Sequence, residues 1–469
     1  MILAVSSDHG QITTRADTAR KLPRGVLIAF TLPTLILGVM HGPEGMIQGV
    51  YAKYAGLSLT SLAAALLLTR IFDAVTYPLI GALSDRSYAR SGTRTNWTLA
   101  GTVLSVIGIW FLLRPPPGVT IWYFGGWMAV VYLGWKVIEI PLQAWSYTLS
   151  SDYAQRARVQ AWRGTAQIAG ALLFLLIPLL ASQLGASASP ELDFRNLGFA
   201  AAICAVALPL ATLALIRRVP RGEGAPPAAP QRFALKEILA AVRGNPPLLR
   251  LCLAFLPVCL LNGLMAGVTF FYFDTYLRLS RQFPAIMALG LVASILGIPL
   301  WAALSARFER HRVWALALLA SSALCAALAL LTPGPAALPL CFVLFPLLFV
   351  ALSSTVVAYA MSADIVDYGK LHTGEDHGGL YGALLTFLQK SVPGASTAAG
   401  VALAGVFGFD ATRAVQADSA VLGLKLSFAI LPACGLLMAA AIIWNYPLGR
   451  ARVAEIQAAL AARAAGAPR

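Results

Sequence analysis

The feature that most limits what this chain can fold into is the recurrence, from end to end, of predominantly apolar runs separated by short charged connections. A run of about 20 such residues crosses the ~30 Å hydrocarbon core of a bilayer as a helix. Inside lipid, helices and closed barrels alone satisfy their own backbone groups. Twelve spans are predicted on this basis. The first six are Val26 to Val50, Leu62 to Leu83, Trp97 to Leu113, Ile121 to Trp145, Gln167 to Leu184 and Leu197 to Ile216. The second six are Leu249 to Leu277, Pro284 to Leu304, Val313 to Leu331, Leu338 to Met361, Leu380 to Val406 and Leu422 to Trp444. At 58% hydrophobic and 12% charged residues, with a mean hydropathy of +0.74, no soluble core needs this much apolar surface.

The expected fold is therefore all-α and polytopic, with about twelve transmembrane helices in two six-helix bundles around a central cavity. Residues 1–25 form an N-terminal tail, 26–216 the first bundle, 217–247 a linker, 248–447 the second bundle and 448–469 a C-terminal tail. The linker combines Arg217, Arg218, Arg221 and a GEGAPPAAP patch with a short amphipathic piece, FALKEILAAVRG. The first 25 residues hold Arg15, Arg20, Lys21 and Arg24 and no apolar region, so no cleavable signal peptide is expected.

The net charge of +15 does not point to nucleic acid, because Lys and Arg lie in the connections between spans rather than on one face. The connections after spans 2, 4 and 8 carry Arg86, Arg90 and Arg94, then Arg156 and Arg158, then Arg307, Arg310 and Arg312. By the positive-inside rule both termini are expected in the cytoplasm of a bacterial inner membrane. The six cysteines all fall inside apolar runs without metal-ligand spacing, so neither disulfides nor zinc are implied.

Charges inside the spans are the informative exceptions. His41 and Glu44 lie in HGPEG, where Gly42, Pro43 and Gly45 weaken the helix. Span 2 holds Arg70, Asp73 and Tyr77; span 4 holds Trp135, Lys136, Glu139, Gln143 and Trp145; Arg163 opens span 5. An acid-rich segment with Asp364, Asp367, Glu375 and Asp376, expected as a loop, leads into span 11 and its single basic residue, Lys390. Each central charge costs on the order of 3 kcal/mol on the insertion scale, so the set is expected to converge on a shared wet interior. Lys136 and Glu139 can neutralise each other as a structural pair or contact solute, Arg70 can pair with Asp73, and Lys390 with Asp73. Trp135 and Trp145 are near enough to Glu139 in sequence to line a pocket.

The stretches RIFDAVTYPLIGALSDRSYARSGTRTNW, EIPLQAWSYTLSSD and ADIVDYGK followed by LQK resemble the glycoside, pentoside and hexuronide cation symporters of the major facilitator superfamily, the melibiose permease group. The resemblance implies a secondary transporter of a sugar, glycoside or uronide. It matches Asp73 to the first acid of the family's helix-2 cation site and Tyr77 to the second, which breaks the carboxylate pair. Glu139 matches the sugar-binding acid, Gln143 the sugar-stacking aromatic, Arg163 the sugar-contacting arginine and Lys390 the lysine near the cation site. Glu44 or His41 stands for the helix-1 acid.

Sodium wants several hard oxygen ligands, whereas a lone buried acid readily takes up a proton. Proton-coupled symport with Asp73 or Glu44 as the proton site is expected ahead of sodium coupling, with an uncoupled facilitator as the alternative. No cofactor is expected; the partners are a small solute and the bilayer, with no nucleic acid, and the protein is read as a monomer. The mechanism is alternating access, with Asp85, Arg86 and Arg94 after span 2 and Asp364 and Asp367 after span 10 forming a latch in the outward-facing conformation. A lysolipid or conjugate carrier keeps the fold and changes the cargo. An intramembrane enzyme is disfavoured, since the five histidines show no ligand spacing and no nucleophile grouping or phosphate loop is present.

Overall fold

The computed structural model describes residues 22–150, 153–220, 242–375, 377–413 and 415–466. Among the described residues the chain is helical throughout, without strands. The first span is broken into α1 (Arg24–His41) and α2 (Ile47–Ala55). Then come α3 (Leu59–Ser91), α4 (Thr95–Leu113), α5 (Ile121–Thr148), α6 (Tyr153–Gln183) and α7 (Phe194–Arg218). The second half runs through α8 (Pro246–Phe270), α9 (Phe283–Arg307), α10 (Arg310–Ala329), α11 (Ala337–Leu352), α12 (Thr355–Thr373) and α13 (Gly378–Val406). It ends with α14 (Asp418–Lys425), α15 (Leu431–Trp444) and α16 (Arg450–Gly466). Widened π-helical turns at Phe271–Tyr276 and Leu426–Ile430 extend α8 and join α14 to α15.

Ten spans among the described residues are long and apolar enough to cross a membrane. Helices α5 and α13, of 28 and 29 residues, have the length but are more polar along it, with Lys136, Glu139 and Gln143 in α5 and Gln389 and Lys390 in α13. With α5 and α13 the crossings number twelve, and this even number brings the start of α1 and the end of α15 to one face of the bundle, the terminal face.

In the first half α1 packs on α6 and α7, α3 on α5, and α4 on α5 and α7; in the second, α8 packs on α13 and α15, α9 on α11, and α10 on α15. Small residues allow the closest approaches. A Cβ on Gly170 would collide with the Leu35 carbonyl oxygen and stand 2.8 Å from the Gly38 Cα, so α1 and α6 meet backbone to backbone. The halves meet through α3 on α13 and α6 on α9.

Several boundaries differ from the hydropathy reading. Helix α3, at 33 residues, is about 50 Å long at 1.5 Å per residue and so projects beyond the hydrocarbon core. Helix α6 begins at Tyr153 rather than near Gln167. The acid-rich segment is not a loop where it was expected: Asp364 and Asp367 lie on α12, which continues to Thr373. There Arg310 of α10 clamps the Asp364 carboxylate at 2.6 and 2.7 Å. The basic tail folds as α16, against α12, through Gln457 to Asp367 at 3.3 Å and Arg463 to the Leu371 carbonyl at 2.8 Å. The predicted linker helix lies mostly outside the described residues.

Candidate functional site

The site begins at the break in the first span. Helix α1 stops at His41, and the chain turns through Gly42, Pro43, Glu44, Gly45 and Met46 before α2 starts. Gly45 adopts φ +84°, a left-handed conformation that favours glycine. Gln48 repairs the break: its Nε2 donates to the Gly45 carbonyl at 2.6 Å and to the Gly267 carbonyl of α8 at 3.1 Å. The opened turn aims two ionisable side chains inward. His41 Nδ1 lies 2.6 Å from Glu44 Oε2, and the His41 ring sits edge-on to Trp135 at 4.4 Å between centroids. The Glu44 carboxylate also accepts from Arg70 of α3 and, at 3.0 Å, from the Tyr132 hydroxyl of α5. Arg70 in turn stacks 4.8 Å over the Tyr132 ring.

From there a ladder of ion pairs descends toward the terminal face. Three residues beyond Arg70, Asp73 meets Lys136 of α5, with Nζ 2.6 Å from Oδ1. Three residues beyond Lys136, Glu139 meets Arg163 of α6 at 2.5 Å. Arg163 also donates to the Gln143 side-chain oxygen, while Gln143 Nε2 reaches the Tyr147 hydroxyl at 2.7 Å. Each step of three residues is about 4.5 Å of helix. Thus α3 and α5 each carry one base and one acid, and every charge is met by a different helix.

This pairing corrects two of the sequence-level alternatives. Lys136 does not neutralise Glu139, and Arg70 does not take Asp73; an i, i+3 pair on one helix presents opposite charges to two different neighbours. The ladder holds three acids and three bases. Lys390 stands outside it: it is exposed, its Nζ lies 5.9 Å from the Tyr77 ring centroid, and among the described residues no carboxylate lies within 4 Å. The alternative of its neutralisation by Asp73 is not made, because Lys136 holds that carboxylate.

Two large cavities adjoin the break. One, of about 490 Å³, is polar and lies between the halves, with His41, Glu44, Arg70, Asn262, Gln389 and Lys390 on its wall. The other, of about 500 Å³, shares Glu44, Asn262 and Thr355 with the first and is otherwise lined mainly by apolar residues such as Met265, Met287 and Phe349. Neither of these two cavities is lined by Lys136, Glu139, Gln143 or Arg163. Trp135 flanks the break, but Trp145 lies elsewhere. It is buried against Phe30, and its ring N–H donates to the Pro220 carbonyl at 3.2 Å, so it packs the terminal end of the first half.

Sequence reasoning missed Asn262 and Gln48, and also Asp274, whose lone carboxylate in an apolar run was a visible signal. Asp274 is buried and pairs with Lys53 across the two halves at 2.7 Å, on the face opposite the termini. Arg281 and Glu191 approach to 3.8 Å on the same face. The expected gating residues do not meet across the halves in this conformation. Arg94 reaches Asp85 at 3.4 Å, and Asp364 and Asp367 pair within the second half; Arg86 is exposed.

The chain is similar to a glucuronide carrier protein homolog of Escherichia coli (strain K12), 25% identical over 87% of this chain and 88% of the relative. It is also similar to a sodium-dependent lysophosphatidylcholine symporter 1-A of Danio rerio, 22% identical over 85% and 80% of the two chains. Among solved structures, the nucleoside transporter NupG superimposes with a TM-score of 0.61 at 13% identity, covering 90% of this chain and all of that one. A bacterial homolog of the lysosomal transporter Spinster gives 0.62 at 15% identity, covering 92% and 97%. These two likenesses are of fold. Residues 28–450 match the MFS/sugar transport protein family, and the chain belongs to that family: a multi-pass membrane transporter of the major facilitator superfamily, not an enzyme.

Proposed function

We propose that the protein is a proton-coupled symporter of a small anionic sugar, a uronide or uronide glycoside, working by alternating access in a bacterial inner membrane. The observation that carries this reading is the charge balance. The ladder of Glu44, Asp73 and Glu139 with Arg70, Lys136 and Arg163 closes on itself, which leaves Lys390, at a cavity between the halves, as a cation without a carboxylate among the described residues. A solute carboxylate supplies the missing charge, and Asn262, Gln389 and the rest of the polar wall supply hydroxyl partners. The relative named as a glucuronide carrier homolog supports the same class. Glu139, Gln143 and Arg163 lie toward the terminal face from this cavity and serve as sugar ligands in another stage of the cycle.

The coupling proton is carried at the His41 and Glu44 pair, which faces the cavity, rather than at Asp73, which Lys136 occupies. The arginine-rich connections on the terminal face argue that this face is cytoplasmic. Among the described residues the ion pairs that join the halves are on the other face, so the described conformation is closed outside. In the opposite conformation Arg86 and Arg94 meet Asp364 and Asp367.

Lysolipid transport is a second reading, favoured by the mainly apolar cavity that continues from the polar one and by the lysophosphatidylcholine symporter among the relatives. A thermal-shift screen of detergent-purified protein separates the two. Methyl glucuronide should raise Tm, and Lys390→Gln should weaken its binding at least about 10-fold, or about 1.4 kcal/mol, with neutral glucosides unaffected by the substitution. Stabilisation by lysophosphatidylcholine alone would overturn the uronide assignment.

A further inference from the structure

The environment of Lys136 is more specific than an ion pair requires. Its side chain is fully buried, and Nζ meets three oxygens of α3. These are Asp73 Oδ1 at 2.6 Å, the Asp73 carbonyl at 2.6 Å and Thr76 Oγ1 at 2.7 Å. A carboxylate, a carbonyl and a hydroxyl from one helical turn converge on one point. That is the donor set a hard monovalent cation takes, oxygen only and with one formal negative charge. Here the point is filled by an ammonium that arrives on a four-carbon arm from the neighbouring helix.

We propose that Lys136 is a tethered cation that fills a cation site on α3 and thereby determines ion specificity: sodium and lithium do not bind there while the lysine is present. The neighbouring charges hold Lys136 in place. Glu44 is engaged by Arg70 and Glu139 by Arg163, so neither competes for the ammonium, and neither base competes for Asp73. A free ion would have to displace a charge that cannot diffuse away, against a local concentration no bath solution matches. Removing the ammonium leaves Asp73 as a carboxylate without its counter-charge, beside two further oxygen donors and the space vacated by the arm. A small cation restores the balance that the insertion of a bare charge would violate.

The inference bears on the coupling ion of the proposed symport and uses no solute, so its failure and that of the uronide assignment are separate results. The test is a thermal-shift titration of detergent-purified protein with sodium chloride and lithium chloride against choline chloride at constant ionic strength. The native protein should show no saturable response. Lys136→Ala should gain a saturable, sodium- or lithium-dependent rise in Tm of several degrees, or should fold only when one of these salts is present; Asp73→Asn in that background should remove the gain. Lys136→Ser, whose hydroxyl adds a further oxygen, gives a second background for the same measurement. A saturable sodium response in the native protein would overturn the proposal, as would a folded Lys136→Ala or Lys136→Ser protein indifferent to both salts.

Discussion

Arg70 illustrates how the interior is held together one residue at a time. Its guanidinium satisfies Glu44, lies over Tyr132 and stands where α3 passes Gly394 of α13, so one side chain ties the broken span to two helices and sits at the seam between halves. A charge left in such a place without its partner is costly, whereas replacing both partners by apolar groups is often tolerated. Arg70→Met should therefore destabilise the protein by about 3–5 kcal/mol, read as a drop in Tm and in the yield of monodisperse protein. The double variant Arg70→Met with Glu44→Leu should recover part of that loss; equal loss in the two proteins would mean that the pair contributes packing rather than charge compensation. The charged residues themselves were legible in the sequence because acids and bases are so rare in apolar runs. Their partners were not, since whether Asp73 meets Arg70, Lys136 or Lys390 depends on how α3 is rotated against α5 and α13.

Among the elements, the broken first span matters most. Gly42, Pro43 and Gly45 announce the break, and the structure adds what the sequence did not: Gln48 bridges it to the Gly267 carbonyl, so the break is fixed against the second half rather than loose. The neighbouring contact of α1 with α6 depends on Gly38 and Gly170, where the backbones touch. Gly170→Ala should cost about 1–3 kcal/mol through overpacking, measured as a lower Tm, and Gly25→Ala, which meets nothing within 4 Å, is the control with no loss. Equal behaviour of the two would remove the close approach from the account. The spans were readable as elements, but hydropathy marks where a helix crosses lipid, not where it ends. It therefore shortened α3 and α6, whose polar ends continue outside the membrane. It also took the start of an acid-rich segment for a loop, although Asp364 is clamped by Arg310 on a continuous α12.

At the scale of the whole molecule, two bundles enclose cavities between them and are pinned together on one face by Lys53 with Asp274 and Arg281 with Glu191. Of the residues proposed to pin the other face, Arg94 and Asp364 are paired within their own halves. In the proposed alternating-access cycle, the ion pairs across the halves on the pinned face open before those on the other face close. The two-bundle layout was legible from span count and the basic linker, but these pins were not, since each joins residues more than 80 positions apart. The most direct measurement is accumulation of labelled methyl glucuronide by proteoliposomes, with an inward proton gradient imposed without sodium, and separately with an inward sodium gradient at fixed pH. Proton-coupled symport predicts accumulation above equilibrium with the proton gradient and none with the sodium gradient. Accumulation that follows sodium at fixed pH, or no uptake under either gradient, would contradict it.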